Sequence, residues 1–598
     1  MLSVLPFNSL KRNVLLPLAF GVLASGLSAQ VPPSSDANSQ APASEQPPKE
    51  ESRPKDEVAT RDTPATFQVR VNLVQVRVVV RGPDGKVIPN LHREDFQIFD
   101  NRKPQLLSTF NVDRVEARSA VVSPDSGPDK VAEAAKAAAV AKLPQRFVAM
   151  VFDDVHMSME DAIFVRTQAA KFFESLVPAD RVGIYSSSGQ TRQEFTDDRE
   201  VLRRTLLGIL PKSVSEGQST DCPYISYYMA DQIVNFSDTQ ATSVAAADIV
   251  QCEFNGDQSK LGLALQMVPS VASAALSVGD GESSYTYSHL DQVTRRLAAM
   301  PGERVLVFVS PGFIPSTLRP ELAELIDRAN RAKITINTID ARGLYTPDLG
   351  DISQRSTINF QTAGIEGSYR VQAQFAQQEV LADMALGTGG TFFHNRNDVD
   401  EAMREAGATP EVSYLLGFSP QNLKIDGRFH EIKVTLTDKR KATVQARRGY
   451  YAPRTIPDPA EAAKADIQEA IFSQDEIHDL PVDLQTQFFK KDPNDARIAV
   501  LTHFDVKGVH FRKADGRNND DLTIATAIFD QNGNFVTGGE KIVTMKLLDN
   551  TYERLSHSGL TVKSSFDVKP GTYMVRLVVR DAEGAEMAAR NGAVVIPF

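Results

Sequence analysis

The segment 146–158, RFVAMVFDDVHMS, joins an apolar run to a polar end. Every position in 147–152 is apolar, which is typical of a strand buried on both faces, as in the centre of a parallel sheet. Asp153 and Asp154 follow the run directly. Because ligands of open α/β sheets bind at the carboxyl ends of strands, the pattern places two carboxylates at a site-forming edge.

A helix is predicted immediately after these aspartates. Ser158 and Asp161 have the S-x-x-D spacing of a capping box, in which the two side chains satisfy free backbone N–H groups at a helix start. Apolar residues then recur on one helical face, at 162, 165, 169, 173 and 176. Two hypotheses stay open: Asp153 and Asp154 form a functional site, or they cap the helix and order a turn.

Strands and helices alternate from residue 146 onwards. The predicted strands are 146–152, 181–186, 193–196, 305–309, 334–340 and 387–393, and the predicted helices are 198–210, 226–233, 241–250, 290–300, 322–332 and 380–386. Such β-then-α units indicate a parallel sheet with helices on both faces. Residues 212–287 interrupt this frame, and 348–377 is polar and expected to be irregular.

Alternating apolar and polar positions predict β structure on both sides of this unit. Near the N-terminus the apolar set shifts by one residue at Leu73, which predicts a bulge or a crossing between sheets. Near the C-terminus, short alternating strands with turn signals predict an immunoglobulin-like antiparallel sandwich. The fold class is therefore multidomain: α/β with a doubly wound sheet, plus all-β domains.

The chain has 598 residues, too many for one core. The predicted parts are a signal peptide (1–29), a disordered Pro-rich linker (30–65), a small β domain (66–112), an Ala-rich linker (113–144), the α/β domain (145–400) with its insertion (212–287), a β extension (410–453), a helical linker (454–495) and a C-terminal β-sandwich (496–598).

The N-terminus predicts export. Lys11 and Arg12 precede the apolar run 14–27 and the small residues before Gln30, which is the pattern of a secretory signal. An uncleaved N-terminal anchor is the alternative. No later stretch is predicted to span a bilayer, so we expect a periplasmic or secreted, extracellular protein.

The amino-acid composition limits the classes of partner that the protein could bind. The net charge of −11 and the absence of a Lys/Arg cluster argue against nucleic acid as a partner.

Cys222 and Cys252 are the only cysteines, and an oxidising compartment favours a disulfide between them, worth roughly 3–4 kcal/mol by the chain-entropy argument. Two buried free thiols are the alternative.

Several segments resemble the bacterial von Willebrand factor A-related family of exported proteins. They are VNLVQVRVVVRGPDGKVIPNLHREDFQIFDN, RFVAMVFDD, PGERVLVFVSPGF, YLLGFSP with GRFHEIKVTL and RRGYYAP, and PGTYMVRLVVRDAEG. The resemblance covers most of the chain past residue 66. It implies a von Willebrand A domain, whose upper sheet edge can hold a divalent metal through D-x-S-x-S, a Thr and an Asp before Gly.

The chain departs from that metal pattern. Asp153 matches the first acid, but Val155 and Met157 stand at the serine positions, and Ser310-Pro311-Gly312 replaces the Asp before Gly. For the Thr, Thr220 is a candidate only by its place in the insertion. Asp154, Ser158 and Ser310 could supply oxygens in a rearranged, degenerate site for weakly bound Mg²⁺ or Ca²⁺, which prefer hard oxygen ligands.

No catalytic motif is present. The sequence lacks G-x-S-x-G, H-E-x-x-H, a P-loop and G-x-G-x-x-G, and His156 is expected to be an exposed loop residue. The leading hypothesis is an exported, non-enzymatic protein that binds another protein or a surface polymer without metal, through segments 153–158 and 310–313 and the insertion. A metal-dependent adhesin built on Asp153 is the alternative, and a hydrolase of unrecognised geometry is a third class.

Overall fold

A computed structural model describes residues 57–63, 74–114, 143–212, 225–314, 318–344, 362–408, 410–420, 426–438, 440–452 and 459–597. All of them belong to one unit, Asp56–Phe598. The predicted signal peptide, the bulge at Leu73, most of both linkers before residue 143, Thr220 and Cys222 lie outside the described residues.

The elements of the described residues are named in chain order. The strands are β1 (Val58–Thr63), β2 (Val74–Arg81), β3 (Phe96–Asp100), β4 (Lys103–Gln105), β5 (Thr109–Arg114), β6 (Arg146–Phe152), β7 (Asp180–Ser186), β8 (Arg192–Thr196), β9 (Glu303–Ser310), β10 (Ile334–Asp340), β11 (Phe392–Phe393), β12 (Val412–Phe418), β13 (Phe429–Leu436), β14 (Thr443–Ala446), β15 (Gly449–Tyr451), β16 (Ile477–His478), β17 (Val482–Lys490), β18 (Ala496–Phe504), β19 (Arg512–Ala514), β20 (Arg517–Phe529), β21 (Phe535–Leu547), β22 (Leu560–Val568), β23 (Gly571–Asp581) and β24 (Met587–Ile596). The α-helices are α1 (Met159–Glu174), α2 (Arg199–Leu206), α3 (Tyr227–Phe236), α4 (Thr239–Glu253), α5 (Leu261–Ala298), α6 (Arg319–Arg331), α7 (Ala363–Thr388), α8 (Val399–Gly407), α9 (Pro459–Phe472) and α10 (Asp549–Ser558).

The central domain is built on one six-stranded sheet. Its spatial order is β11-β10-β9-β6-β7-β8, and every neighbouring pair is parallel except β7 and β8. Alternate residues of β6 enter two separate cores: Met150 packs with α1, α2 and α8, and Val151 with α5, α6 and α7. The continuous apolar run therefore reflects burial on both faces.

Two helices are much longer than the sequence predicted. The helix expected at 290–300 is the end of α5, which is 38 residues long, and the helix expected at 380–386 is the end of α7, which begins at Ala363. Consequently much of 348–377 is helical rather than irregular, and the strand expected at 387–393 shrinks to the two residues of β11. Pro269 and several glycines inside these helices weaken the helical signal in the sequence.

The first β region is not an independent domain. Strands before the central domain pair with strands after it, giving one sheet of order β14-β2-β12-β5 and a second of order β15-β13-β3-β4. Both sheets contribute side chains to a single core. The small β domain (66–112) and the β extension (410–453) are therefore two halves of one sandwich, into which the central domain is inserted.

The C-terminal domain consists of a large and a small sheet. The large sheet has the order β1-β21-β20-β23-β24-β16, with β19 paired to β20, and the small sheet has the order β17-β18-β22. Two expectations were wrong here. Strand β1 lies in the segment expected to be a disordered linker, and 454–495 contains one helix, α9, followed by β16 and β17 instead of being wholly helical.

Three bodies, namely the first sandwich, the central domain and the C-terminal domain, are held together by polar contacts. Arg77 of β2 pairs with Glu303 at the start of β9, and Arg181 of β7 donates to the carbonyl oxygen of Gln531, with Nε at 3.1 Å. Gln474 donates to the carbonyl oxygen of Pro301 at 3.1 Å. These contacts meet the amino ends of the central strands, opposite the edge that carries Asp153.

One described helix is long and apolar enough to cross a membrane by length and composition, the segment 258–298 that includes α5. No such stretch after the N-terminal segment was predicted from the sequence. The C-terminal part of α5 packs on the central sheet through Leu290, Val293 and Leu297, and 22% of the apolar window is buried.

Candidate functional site

The chain turns sharply after β6 and enters α1. Ser158 is the N-cap of α1: its hydroxyl accepts from the Asp161 N–H, and the Asp161 carboxylate accepts from the Ser158 N–H, both at 3.1 Å. The predicted capping box is present. Ser158 therefore serves the helix start and does not join the aspartates, contrary to its predicted role in a rearranged metal site.

Both carboxylate oxygens of Asp153 are engaged. Oδ1 accepts from Ser187 Oγ at 2.7 Å and Oδ2 from Ser310 Oγ at 2.5 Å, while His156 Nδ1 lies 2.9 Å from Oδ2 and 3.0 Å from Oδ1. The side chain is fully buried. Asp153 thus ties together the ends of β6 and β9, the loop after β7 and the turn before α1.

Asp154 is bound by a serine pair that the sequence analysis did not select. Its Oδ1 accepts from the Ser188 N–H at 2.8 Å and its Oδ2 from Ser188 Oγ at 2.5 Å. Ser187 Oγ lies 3.2 Å from Oδ1. Ser187 and Ser188 directly follow β7, so their place after a buried strand next to β6 was a usable signal.

His156 is an internal partner of Asp153 and not an exposed loop residue. Only 15% of its side chain is exposed, and its ring stacks on Phe313 with centroids 5.1 Å apart. Burial would lower the pKa of His156, but the charge and hydrogen bonds of Asp153 and the charge of Glu282 outweigh it, so the pKa is raised. Burial would raise the pKa of Asp153, but His156, Ser310 and Ser187 together lower it.

The end of β9 places Ser310 in this network. Ser310 Oγ donates to Asp153 and also accepts from the Gly312 N–H at 2.9 Å. Gly312 has a φ of +88°, and a Cβ there would lie 2.1 Å from the carbonyl oxygen of Gln377. Only glycine lets α7 approach this turn so closely.

A third acid stands at the end of β10. Asp340 is buried, and its carboxylate accepts two hydrogen bonds from Arg342, from Nε at 2.9 Å and from a terminal nitrogen at 2.8 Å. Gln378 donates to it at 3.0 Å. Each strand-end acid of this edge therefore has an internal partner.

The insertion covers this edge of the sheet. Tyr285 of α5 donates to the carbonyl oxygen of Ser188 at 3.2 Å, and Tyr287 meets Phe313 edge to face at 5.1 Å. A Cβ on Gly189 would lie 2.2 Å from Nε2 of His289. Two parts of the predicted contact surface, segments 153–158 and 310–313, are consequently mostly buried rather than available to a partner.

The oxygen donors do not fit a divalent cation as they stand. Hydroxyl and carboxylate oxygens are the ligands Mg²⁺ and Ca²⁺ prefer, and Asp153, Asp154, Ser187 and Ser310 supply them. However, a histidine N–H already faces both oxygens of Asp153. Among the described residues, no three His, Cys, Asp or Glu side chains are grouped so that they could hold a metal ion.

Three residues named from the sequence are not part of this geometry. Cys252 lies near the end of α4, and Cys222 is outside the described residues, so their pairing stays a prediction. Thr220 is outside them as well.

Comparison with known proteins finds only solved structures of low similarity. No protein-family model matches the chain, and no curated protein matches it. Among solved structures, the conserved hypothetical protein BatB from Bacteroides thetaiotaomicron is 11% identical, with a TM-score of 0.22 over 44% of this chain and 96% of that one. A β-glucuronidase from Bacteroides uniformis is 10% identical, with a TM-score of 0.13 over 32% of this chain and 20% of that one. TM-scores this low carry no argument about the fold or function of this chain.

Proposed function

We propose that the protein is an exported, non-enzymatic binding protein with a von Willebrand A-like central domain, which recognises another protein or a surface polymer without a metal. Its place is the periplasm or the cell exterior. The resemblance of its segments to the von Willebrand factor A-related family and its predicted signal peptide support this proposal.

The main observation in favour of metal-independent binding is that hydrogen bonds already occupy the carboxylate of Asp153. A cation-binding carboxylate needs free lone pairs directed at the cation, whereas both oxygens of Asp153 accept hydrogen bonds from within the domain. The charge and hydrogen bonds of Asp153 raise the pKa of His156, which favours the charged imidazole beside this carboxylate. The network supports a structural lock that holds the strand ends, and it leaves partner recognition to other surfaces.

One observation favours the second candidate, a metal-dependent adhesin. Hydroxyl oxygens of Ser187 and Ser310 converge on Asp153, a donor set that suits Mg²⁺. A cation there and a protonated His156 would compete for the same carboxylate. The two candidates therefore differ in what happens when metal is added.

Calorimetric titration of Mg²⁺, Ca²⁺ and Mn²⁺ into the exported chain, with Asp153→Ala as the matched variant, separates them. We expect no heat of binding beyond that of the variant. Micromolar binding that Asp153→Ala abolishes would replace the proposal with the adhesin.

Binding itself is tested on the envelope of the producing cell. We expect labelled chain to bind isolated envelopes saturably in EDTA, and pretreatment of the envelopes with protease or periodate to show whether the partner is protein or polymer. Absence of saturable binding, with or without divalent cations, would refute a binding function.

A further inference from the structure

A large crevice lies where the three bodies meet, on the side of the central sheet opposite Asp153. Its volume is about 3100 Å³, and its walls come from β2 and β14, from the starts of β9 and β10, from α6, and from α9 with the loop after it. Pockets for small molecules are typically about 300–1000 Å³. The crevice is therefore of a size for an extended ligand.

Several residues that line this crevice carry buried polar atoms without hydrogen-bond partners. Within the described residues these atoms include Oε1 of Gln75, Nε of Arg304, Nε of Arg447 and Oε1 of Gln468, and all four residues form its walls. Native proteins leave few buried polar groups unpaired, because each one costs the free energy of its lost hydration. Two unpaired donors and two unpaired acceptors within the lining residues point to a ligand that supplies both kinds of partner.

Arg304 is the clearest case. It is 5% exposed, forms no ion pair with a described residue, and donates from a terminal nitrogen to the carbonyl oxygen of Ala298 at 3.1 Å. Three acids lie near it: Glu303 pairs with Arg77, Glu469 pairs with Lys333 at 2.7 Å, and Asp475 accepts from Ser473 Oγ at 2.9 Å. Burial lowers the pKa of Arg304 even though the charges of nearby acids oppose it.

Arg447, a half-buried residue of the same lining, is a second arginine with an unpaired Nε. It donates to the carbonyl oxygen of Gln75 at 2.7 Å and likewise forms no ion pair with a described residue. Burial lowers its pKa to about 10, although the charge of Asp327 opposes the shift. A buried guanidinium without a carboxylate is costly, and it is the group that best binds a planar anion through two hydrogen bonds.

We propose that this crevice is the partner-binding site and that it takes an acidic segment of polypeptide. Carboxylates of the segment pair with Arg304 and Arg447, and N–H groups of the segment donate to the amide oxygens of Gln75 and Gln468. A free phosphate ion is far smaller than the crevice and cannot reach all four of these groups at once. This inference rests on the proposed function, because it names the ligand and the place of that binding.

The test is fluorescence anisotropy with the full exported chain and a labelled peptide of alternating Glu and Ala. We expect saturable binding that weakens with added salt, and no binding of the matching Lys/Ala peptide. Arg304→Gln and Arg447→Gln are each expected to weaken binding about tenfold or more, whereas Arg497→Gln, an exposed arginine paired with Asp567, leaves it unchanged.

A second measurement does not depend on the folding of the variants. Hydrogen–deuterium exchange of the unmodified chain should show protection by the Glu/Ala peptide around Gln75, Arg447 and Gln468. Polygalacturonate and inorganic phosphate serve as competitors. Equal or stronger binding of polygalacturonate, displacement by millimolar phosphate, or protection confined to other segments would overturn the proposal.

The same variants are carried into the envelope assay. Envelope binding that persists in both arginine variants, together with no binding of the acidic peptide, would overturn this inference and leave the proposed function standing. If the unmodified chain does not bind envelopes, the proposed function itself is overturned.

Discussion

At the scale of single residues, the pair of Asp153 and His156 holds together the strand ends at the upper edge of the central sheet. A buried carboxylate is tolerated only if a charge and hydrogen bonds compensate for its lost hydration. Here one imidazole and two hydroxyl groups do so from three different parts of the chain. The pair should therefore matter most in the pH range where both members are charged.

We predict that His156→Gln destabilises the central domain by about 3 kcal/mol near pH 6, because it leaves a buried carboxylate without its counter-charge. The raised pKa of His156 makes its contribution complete below its ordinary value of 6.5 and lost as pH rises through the raised value. The lowered pKa of Asp153 makes its contribution complete above 3.8 and lost as pH falls through the lowered value.

Scanning calorimetry from pH 5 to pH 9 checks this prediction. The difference between the unmodified chain and His156→Gln should be largest between about pH 4 and 6.5 and shrink at alkaline pH. His394→Gln, an exposed histidine of the same domain, is the control. A difference that is constant with pH would show that the ring acts by packing on Phe313 and not by its charge.

A second buried acid, in the C-terminal domain, has its pKa shifted in the opposite direction to that of Asp153. Asp520 is 4% exposed, its Oδ2 has no hydrogen-bond partner, and burial followed by the charge of Asp581 raises its pKa to about 7. The folded state thus holds a proton that the unfolded state releases near pH 4. Stability from this group falls as pH rises from about 4 to 7 and stays low above that range.

We predict that Asp520→Asn stabilises the C-terminal domain at pH 8, by an amount on the order of 2 kcal/mol, since the amide carries no charge and can donate to Asp581. At pH 5 the gain should be clearly smaller, because Asp520 is protonated in the folded state. Urea unfolding at both pH values is the measurement, with the exposed neighbour Asp521→Asn as control. Destabilisation at both pH values would contradict the charge argument.

At the scale of elements, the insertion depends on one close helix contact. A Cβ on Gly279 of α5 would lie 2.3 Å from the ring of Tyr227 in α3, whose hydroxyl donates to Asp280 at 2.6 Å. Gly281, two residues further along the same helix, has open space around it. The two glycines therefore offer a matched pair of substitutions.

We predict that Gly279→Ala destabilises the packing of α3 on α5 by about 1–3 kcal/mol through overpacking, despite its better helix propensity. Gly281→Ala should stabilise the helix by roughly 0.5–1 kcal/mol. Hydrogen exchange of α3 amides measures both effects. Equal protection in the two variants would mean that α3 does not rely on this contact.

The elements also show what the sequence could and could not predict. The strands of the central sheet were found because burial on both faces leaves an uninterrupted apolar run, as in β6. Helix α5 was found only at its end, since its first part carries Pro269 and glycines that interrupt the helical pattern. Ser187 was missed because its role depends on a hydrogen bond to Asp153 that sequence spacing does not reveal. His156 was predicted to be exposed because its stacking on Phe313 is equally invisible in the sequence.

At the scale of the whole molecule, the first sandwich depends on residues that lie far apart in the chain. Strand β2 pairs with β12, from Tyr414 opposite Val78 to Phe418 opposite Val74, and the entire central domain lies between them in the sequence. The Tyr414 hydroxyl donates to the carbonyl oxygen of Ile88 at 2.6 Å and accepts from the Leu91 N–H at 3.1 Å. Neither half buries its apolar face alone.

We predict that a fragment of residues 66–453 keeps β2 protected from hydrogen exchange, whereas a fragment of residues 66–408, which lacks β12 to β15, does not. The reason is that β2 loses both of its neighbours, β12 and β14, in the shorter fragment. Exchange of the amides of 74–81 compares the two, and exchange of β6 amides shows whether the central domain is intact in both. Protection of β2 in the shorter fragment would mean that the first half folds by itself and that the insertion of the central domain is a matter of connectivity and not of stability.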